Sequence, residues 1–139
     1  MERGEVWWAL LDDRRPVVLL SGGESAEFRA MQIVAPASTE EKRGFVVLSG
    51  EQASDFGAMR QIVAPAGAAT GAVGLELEIG SREGLPYDGV VRVAFPRDGQ
   101  IFCTWLVTLT QEYLIDRAGV LSFAKLRQIE NALRLAEIE

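Results

Sequence analysis

The side chains that most often carry enzymatic chemistry are scarce in this chain. It contains no histidine and a single cysteine, Cys103. Without histidine, the Ser-His and Cys-His nucleophile pairs, the two-histidine ribonuclease arrangement and nearly all common zinc sites are excluded. Cys103 has no base to activate it, so we interpret it as a packed side chain. The carboxylates show no recognised metal-ligand spacing, and no glycine-rich phosphate loop opens a helix, so the sequence predicts neither a metal nor an organic cofactor.

Length and charge narrow the class of protein further. With 139 residues, 48% of them hydrophobic, the chain predicts a single domain over residues 1–139 with a sizeable core. The absence of a long apolar run and of a signal peptide, together with the lone cysteine, predicts a cytoplasmic protein without a membrane span. A net charge of −6 argues against a protein that coats nucleic acid by long-range attraction, so any RNA contact would need a local basic patch.

A block of about two dozen residues occurs twice. RPVVLLSG at 15–22 aligns with RGFVVLSG at 43–50, and FRAMQIVAPAS at 28–38 aligns with FGAMRQIVAPAG at 56–67. One inserted residue, Arg60, changes the offset between the copies from 28 to 29. The internal repeat therefore covers 15–38 and 43–67, and we expect a strand–loop–strand structure in each copy.

Short β-branched and apolar runs predict a mainly β fold. We expect strands over 5–11, 16–21, 32–35, 45–49, 61–64, 75–79, 90–95 and 101–109. Thr110 is suited to cap a short helix over 111–116, and Ser122 a longer one to about residue 137. The longer helix carries one apolar stripe, which predicts packing against a core: Leu126, Ile129, Leu133 and Ala136. This order of elements favours a small β-barrel or open sheet closed by the last helix.

Six short motifs along the chain fall in a recognisable order. They are RGEVWW at 3–8, RPVVL at 15–19, IVAPAS at 33–38, LVTL at 106–109, LIDRAGVLS at 114–122 and NALRLA at 131–136. In this order they resemble the MazF/PemK family of toxin endoribonucleases. That family shows an R-G-[DE]-[IV]-[WY] opening, an R-P-V-[LV]-V strand, a V-V-P-[LIV]-[TS] strand end, an I-R-T-[IL] segment and a final A-L-x-L-x-L helix.

The resemblance implies both a fold and an activity. The fold would be mainly β (α+β), an SH3-like small β-barrel of the MazF/CcdB type with a C-terminal helix, acting as a homodimer. The activity would be sequence-specific, metal-independent cleavage of single-stranded RNA, restrained by a cognate antitoxin. The ribose 2′-OH would attack the adjacent phosphate and leave a 2′,3′-cyclic phosphate, a reaction that DNA cannot undergo because it lacks that hydroxyl.

The resemblance also implies which residues act. The family's catalytic arginine immediately precedes the strand proline, which is Arg15 here, and its catalytic Thr or Ser ends the third strand, which is Ser38, 23 residues later. A guanidinium donates to phosphate oxygens and neutralises charge that builds up at phosphorus, while a hydroxyl can hold a non-bridging oxygen. For substrate binding we expect phosphate contacts from Arg14 and Arg29, and a stacking face from Trp8.

The duplication leaves open which copy carries the chemistry. The second copy has Arg43 at the position of Arg15 but Gly67 at the position of Ser38. The first copy is therefore predicted to be the chemical one, with the second as an inserted hairpin. Alternatively the second copy, which connects directly to the later strands, occupies the barrel and makes Arg43 the candidate arginine. In a third arrangement the duplicated strands pair between two chains.

Departures from the family pattern support a function of a different class. The family's usual Asp-Gln pair before I-R-T appears as Thr104-Trp105, and Val107 replaces the arginine. Fewer basic residues would then line the expected RNA channel. Together with the acidic net charge, this favours as the alternative a non-catalytic binding protein on the same barrel. Such a protein would be a CcdB-like topoisomerase binder or a degenerate toxin that still engages an antitoxin.

Overall fold

The computed structural model of the protein describes residues 2–21, 27–40, 46–70, 73–95 and 106–136, with only the backbone described for 64–70. Its strands are β1 (Glu5–Leu10), β2 (Arg14–Leu19), β3 (Glu27–Gln32), β4 (Val46–Leu48), β5 (Val73–Ile79), β6 (Gly89–Ala94), β7 (Leu106–Thr110) and β8 (Leu114–Val120). Its helices are α1 (Phe56–Thr70) and α2 (Phe123–Leu135). Short 3₁₀ turns cover Glu51–Ser54, Ser81–Glu83 and Gln111–Tyr113. The mainly β fold with a C-terminal helix is confirmed.

The described strands form two sheets that share a junction. Five antiparallel strands run in the order β7-β3-β2-β1-β8, and three run in the order β4-β5-β6 with β4 parallel to β5. Directly after β3, the Ile33 N–H donates to the Pro16 carbonyl at 3.0 Å. The next residue, Val34, exchanges two backbone hydrogen bonds of 2.8 Å with Val90 of β6. One continuous segment therefore borders both sheets.

Two apolar clusters lie on opposite faces of the five-stranded sheet. The larger one packs the sheets against the helices and includes Val18, Met31, Leu75 and Ile129. The smaller one consists of six buried residues: Ala9, Val17, Leu19, Phe28, Ala30 and Leu109. Because successive residues of a strand point to opposite faces, β1, β2 and β3 each contribute to both clusters. Trp8 accordingly packs against the larger cluster and Trp7 against the smaller one.

The two copies of the repeat adopt different structures. The first copy forms β2 and β3 in the five-stranded sheet, whereas the second forms β4 in the other sheet and then α1. The strand predicted over 61–64 is wrong, as is the expectation that the second copy is a hairpin. Phe56–Thr70 is helical because Asp55 caps it, its Oδ1 accepting the Ala58 N–H at 3.0 Å. Inserted Arg60 also gives the copy an apolar spacing suited to a helix.

Other element boundaries also differ from expectation. The third strand lies at Glu27–Gln32 rather than over 32–35. Of the helix predicted over 111–116, only a 3₁₀ turn at Gln111–Tyr113 forms, with Thr110 as its N-cap residue, and Leu114–Val120 is instead an edge strand paired along β1. Within this strand, Gly119 allows close approach of the chain, since an added Cβ would lie 2.2 Å from the Glu83 carbonyl oxygen. Residues 101–105, with Cys103 and Thr104-Trp105, lie outside the described residues, as does Arg43.

The final helix agrees with the sequence prediction. Ser122 is its N-cap, and the Ser122 Oγ accepts the Lys125 N–H at 3.2 Å. Ile129, Leu133 and Ala136 are buried in the larger cluster, and Leu126 packs at its margin. No helix in the described part of the chain has the length and apolar character that crossing a bilayer requires.

Candidate active site

Arg15 and the segment leading to Ser38 lie at the same end of the β2–β3 pair. The ladder between these strands pairs Val17 with Gln32, and the last bond joins the Ile33 N–H to the Pro16 carbonyl. Extending that antiparallel register by one pair sets Arg15 level with residue 34. Ser38 follows four residues later, after the chain has crossed to the second sheet. The Arg15 backbone therefore lies level with a residue four positions before Ser38.

The Arg15 guanidinium forms an ion pair at the protein surface. Its Nε lies 2.8 Å from the Asp13 Oδ1, and the side chain of Arg15 is 48% exposed. Ion pairs between exposed side chains contribute only about 0–1 kcal/mol in water. A phosphate, which accepts bidentate hydrogen bonds from a guanidinium, can therefore compete with Asp13 for this arginine.

The segment before Ser38 is tied down by a covered ion pair. The Ala37 N–H donates to the Glu76 Oε2 at 2.8 Å, and the Arg92 Nη2 donates to the Ala35 carbonyl at 2.8 Å. Glu76 and Arg92 are cross-strand partners on β5 and β6, with side chains 8% and 13% exposed and an Nε–Oε2 distance of 3.3 Å. Ser38 itself is exposed. The structure thus sets an accessible hydroxyl directly after a fixed backbone.

Sequence reasoning missed Glu76 and Arg92. The alternation of LELEI over 75–79 correctly indicated a strand with one polar face. It gave no indication that Glu76 would be covered while Glu78, two residues along on the same face, stays exposed. The covering segment arrives from β3, so the signal lies in the tertiary fold.

Arg14 and Trp8, two of the predicted substrate contacts, lie together. The Arg14 guanidinium carbon sits 4.8 Å from the Trp8 ring centroid, and the Arg14 Nη2 lies 3.3 Å from the Asp116 Oδ2. On another side of Trp8, the ring of Tyr87 meets it edge to face with centroids 6.2 Å apart. Arg14 and Arg15 are adjacent on β2, so this stack is on the opposite face of the strand from Arg15. Tyr87, half exposed, was not anticipated from the sequence.

Arg29 is not brought next to Arg15. Its carbonyl accepts the Leu20 N–H at 2.7 Å, so its backbone is level with the far end of β2. Five residues of strand separate Leu20 from Arg15, which corresponds to about 17 Å. The Arg29 side chain is exposed at that end of the sheet. The predicted contacts of Arg29 and Arg15 would therefore lie far apart.

The N-terminal RGEVWW motif is organised around Glu5. Its Oε1 accepts the Glu2 N–H and the Trp7 Nε1–H, both at 3.0 Å, and its Oε2 lies 3.1 Å from the Arg117 Nε. Burial raises the pKa of Glu5, but these hydrogen bonds and the Arg117 charge outweigh it, and the net pKa lies below its usual value. Glu5 thus adds stability at neutral pH that is lost as the pH falls through the lowered pKa.

A groove of about 980 Å³ runs beside the Ser38 segment and has an acidic lining. Pro36 and Glu76 form part of its wall. The ionisable residues around it are Glu51, Glu76, Glu78, Glu83, Asp88, Arg82 and Lys125. Five carboxylates against two cations disfavour the binding of a polyanion in this groove. In the described ranges, no three Asp, Glu, His or Cys side chains converge as ligands for a metal ion.

The fold of this chain is that of solved toxins. It is similar to the Mycobacterium tuberculosis toxin MazF-mt6, with 14% identity, 96% of each chain covered and a TM-score of 0.55. It is also similar to an endoribonuclease in complex with its cognate antitoxin from a mycobacterial species (15% identity, 99% of this chain and 92% of that one, TM-score 0.52). A further mycobacterial endoribonuclease gives 15% identity, 99% and 90% coverage and a TM-score of 0.53.

The chain resembles these proteins in structure and much less in sequence. No protein-family model matches the chain, and no curated protein matches it in sequence. At 14–15% identity the similarity shows a shared fold. The chain therefore has a MazF-like toxin fold, as its ordered motifs predicted.

Proposed function

We propose that the protein is a toxin of the MazF type: a metal-independent endoribonuclease that cleaves single-stranded RNA at specific sequences. The observation that supports this most directly is that Arg15 and the segment ending at Ser38 lie at one end of the β2–β3 pair, within a MazF-like toxin fold. A half-exposed guanidinium and an exposed serine are both suited to bind a phosphate.

In the proposed reaction, the ribose 2′-oxygen bonds to the adjacent phosphorus as its proton passes to solvent. The bond from phosphorus to the 5′-oxygen breaks, and that oxygen takes up a proton. The products are a 2′,3′-cyclic phosphate and a 5′-hydroxyl. Arg15 neutralises the charge that builds up on the phosphorane oxygens, and the Ser38 hydroxyl donates to one of them. Arg15 is not the base, because a guanidinium does not give up its proton in proteins.

The remaining contacts and partners form part of the same proposal. Arg14 and Arg29 bind flanking phosphates, and the Trp8–Arg14 stack offers a flat surface to a base. One protein of similar fold is an endoribonuclease in complex with its cognate antitoxin. We extend this to a cognate antitoxin for the present chain. The chain itself would act as a homodimer in the cytoplasm.

The test is cleavage of long single-stranded RNA in EDTA by the parent protein and by single variants. Arg15→Ala and Ser38→Ala are each expected to lower kcat by about 10²–10³, as loss of a transition-state donor does. Arg60→Ala is the matched control, because Arg60 is an exposed arginine of the second copy. Arg43→Ala tests the alternative assignment and is expected to leave kcat unchanged. Folded protein, purified without antitoxin, that leaves every RNA intact would overturn the proposal.

A second candidate function is supported by the charge around the site. The Asp13 carboxylate already occupies Arg15, the neighbouring groove is acidic, and the net charge is −6. These observations favour a non-catalytic, CcdB-like or degenerate member of the same fold that binds a protein. A specific protein that co-purifies with the chain, together with no RNA cleavage by any variant, would support this function.

A further inference from the structure

The ion pair between Glu76 and Arg92 also binds the backbone of the segment before Ser38. Each partner bonds to the other at 3.3 Å and also to a different peptide group of the 35–38 segment. The Glu76 carboxylate accepts from the N–H of Ala37, and the Arg92 guanidinium donates to the carbonyl of Ala35. The two tethers therefore flank Pro36 on either side.

This arrangement leaves Ser38 little freedom. The proline ring fixes one backbone dihedral of Pro36, and the tethers hold the peptide groups before and after it. Val34, upstream, is held by its double bond to Val90. Ser38 is joined directly to tethered Ala37, so only the two backbone dihedrals of Ala37 separate the Ser38 Cα from the tethered peptide group.

We propose that Glu76 and Arg92 are positioning residues for Ser38, acting through the backbone of residues 35–37. This inference rests on the proposed function, because it assumes that Ser38 meets the scissile phosphate. A reacting group displaced by about 1 Å typically loses about 10²-fold in rate, so a fixed backbone before Ser38 has direct value for catalysis. The pair itself is not required for packing, since covered ion pairs can often be replaced by apolar residues without loss of stability.

The first experiment compares two changes at Glu76 with one at Glu78. Glu76→Ala removes the acceptor for the Ala37 N–H, and kcat for RNA cleavage is expected to fall by 10-fold to 100-fold with KM within a factor of two. Glu76→Gln keeps an oxygen at that position and is expected to retain kcat within a few-fold. Glu78→Ala, on the same strand and face but exposed, is the control and is expected to match the parent protein.

A double-mutant cycle separates positioning from general destabilisation. In a Ser38→Ala background, Glu76→Ala is expected to lower the residual rate by less than twofold, because the group that it positions is already missing. An equal loss in both backgrounds would overturn the positioning role. If Glu76→Ala does not fold, Glu76→Met/Arg92→Met leaves no unpaired charge and removes both tethers. The double variant is expected to fold and to show the same fall in kcat.

A further measurement does not depend on activity. Hydrogen exchange at the Ala37 amide is expected to be slow in the parent protein and at least tenfold faster in Glu76→Ala, while Val34 and Val90 keep their protection. If the parent protein cleaves no RNA, the proposed function fails and the positioning role with it. If the parent protein cleaves RNA and Glu76→Ala keeps full kcat, only the positioning inference is overturned.

Discussion

Residues 28–38 and 56–67 are nearly the same sequence in two different secondary structures. The first runs as β3 between β2 and β7, with Phe28 in the smaller apolar cluster and Met31 in the larger. The second is helical, with Phe56 beneath the Arg134 guanidinium at 4.3 Å from its ring centroid. Nine aligned residues in common do not specify one structure, so the few differences between the copies carry the information.

The inserted Arg60 is the most informative difference. In the first copy, Met31 and Ile33 are two residues apart, as one face of a strand requires, and both are buried in the larger cluster. In the second copy, Met59 is followed by Ile62 and Val63 at i+3 and i+4, which is helical spacing. Met59 and Val63 are buried in the same cluster, and Ile62 packs against it. One added residue changes the period of an otherwise constant apolar pattern.

The residues and strands next to each copy favour the same secondary structures as the apolar spacing does. Asp55 gives the second copy a helix cap, whereas Glu27 of the first copy pairs with Thr110 in a sheet. The first copy has a partner strand on each side, so its backbone groups are satisfied by β2 and β7. The backbone groups of helix α1 are paired within the helix, although Pro65 has no N–H to donate. The structural surroundings and the apolar spacing therefore determine the secondary structure of each copy, although the two copies are nearly identical in sequence.

The largest effect is expected from the hydroxyl that only the first copy has. Ser38→Gly makes the end of the first copy resemble the second, and RNA cleavage is expected to fall by about 10²-fold or more. Adding Gly67→Ser to that variant is expected to restore nothing, because residue 67 lies in α1. Initial rates on single-stranded RNA check both. Recovery of activity in the double variant would mean that the copies are chemically interchangeable.

The next effect concerns the two aligned methionines, Met31 and Met59, both fully buried in one core. Met31→Ala and Met59→Ala are each expected to lower the free energy of unfolding by about 3 kcal/mol, from lost burial plus a cavity. Urea denaturation measures both. Gln61→Ala, at an exposed position of α1, is the control and is expected to stay within about 0.5 kcal/mol of the parent protein. A negligible loss at Met59 would show that the second copy adds nothing to the core.

Deletion of Arg60 tests the change of period directly. It returns the second copy to the spacing of the first and turns Ile62 away from the buried face of α1. The free energy of unfolding is expected to fall by about 1–2 kcal/mol, with a weaker helical signal in far-ultraviolet circular dichroism. Arg60→Ala, which keeps the spacing at an exposed position, is expected to stay within about 0.5 kcal/mol of the parent protein. Equal stability of the two variants would contradict the role assigned to the insertion.

The smallest effect is expected from the cap. Asp55→Ala leaves the Ala58 N–H without its acceptor and is expected to cost about 1 kcal/mol of folding free energy. Asp55→Asn keeps an acceptor and is expected to recover most of that loss. Urea midpoints separate the two variants, and indistinguishable midpoints would remove the cap from the explanation of why the second copy is helical.

The sequence predicts those helices and strands whose cap and apolar pattern lie within the element itself. The cap at Ser122 and the stripe from Leu126 to Ala136 locate α2, and the alternation over 75–79 locates β5. Helix α1 was missed because the repeat was given one structure for both copies, although Met59, Ile62 and Val63 already had helical spacing.

Features that depend on distant partners could not be predicted in the same way. The residues of β8 become a strand through pairing with β1, more than a hundred residues earlier in the chain. The cover over Glu76 comes from the segment after β3, and the stack on Trp8 brings in Tyr87 from a loop. The motifs predicted Arg15 and Ser38 as a pair, but the ion pair that holds the backbone before Ser38 has no local pattern.

The shared core has a consequence for the history of the gene. Tandem repeats are prone to unequal recombination, which would excise one copy and return the chain to about 110 residues. Here the product would lose either the strand between β2 and β7 or the helix that supplies Met59 and Val63 to the core. Selection for a folded protein would therefore act against reversion. Because the two copies form different elements around one core, neither copy can be lost without removing part of that core.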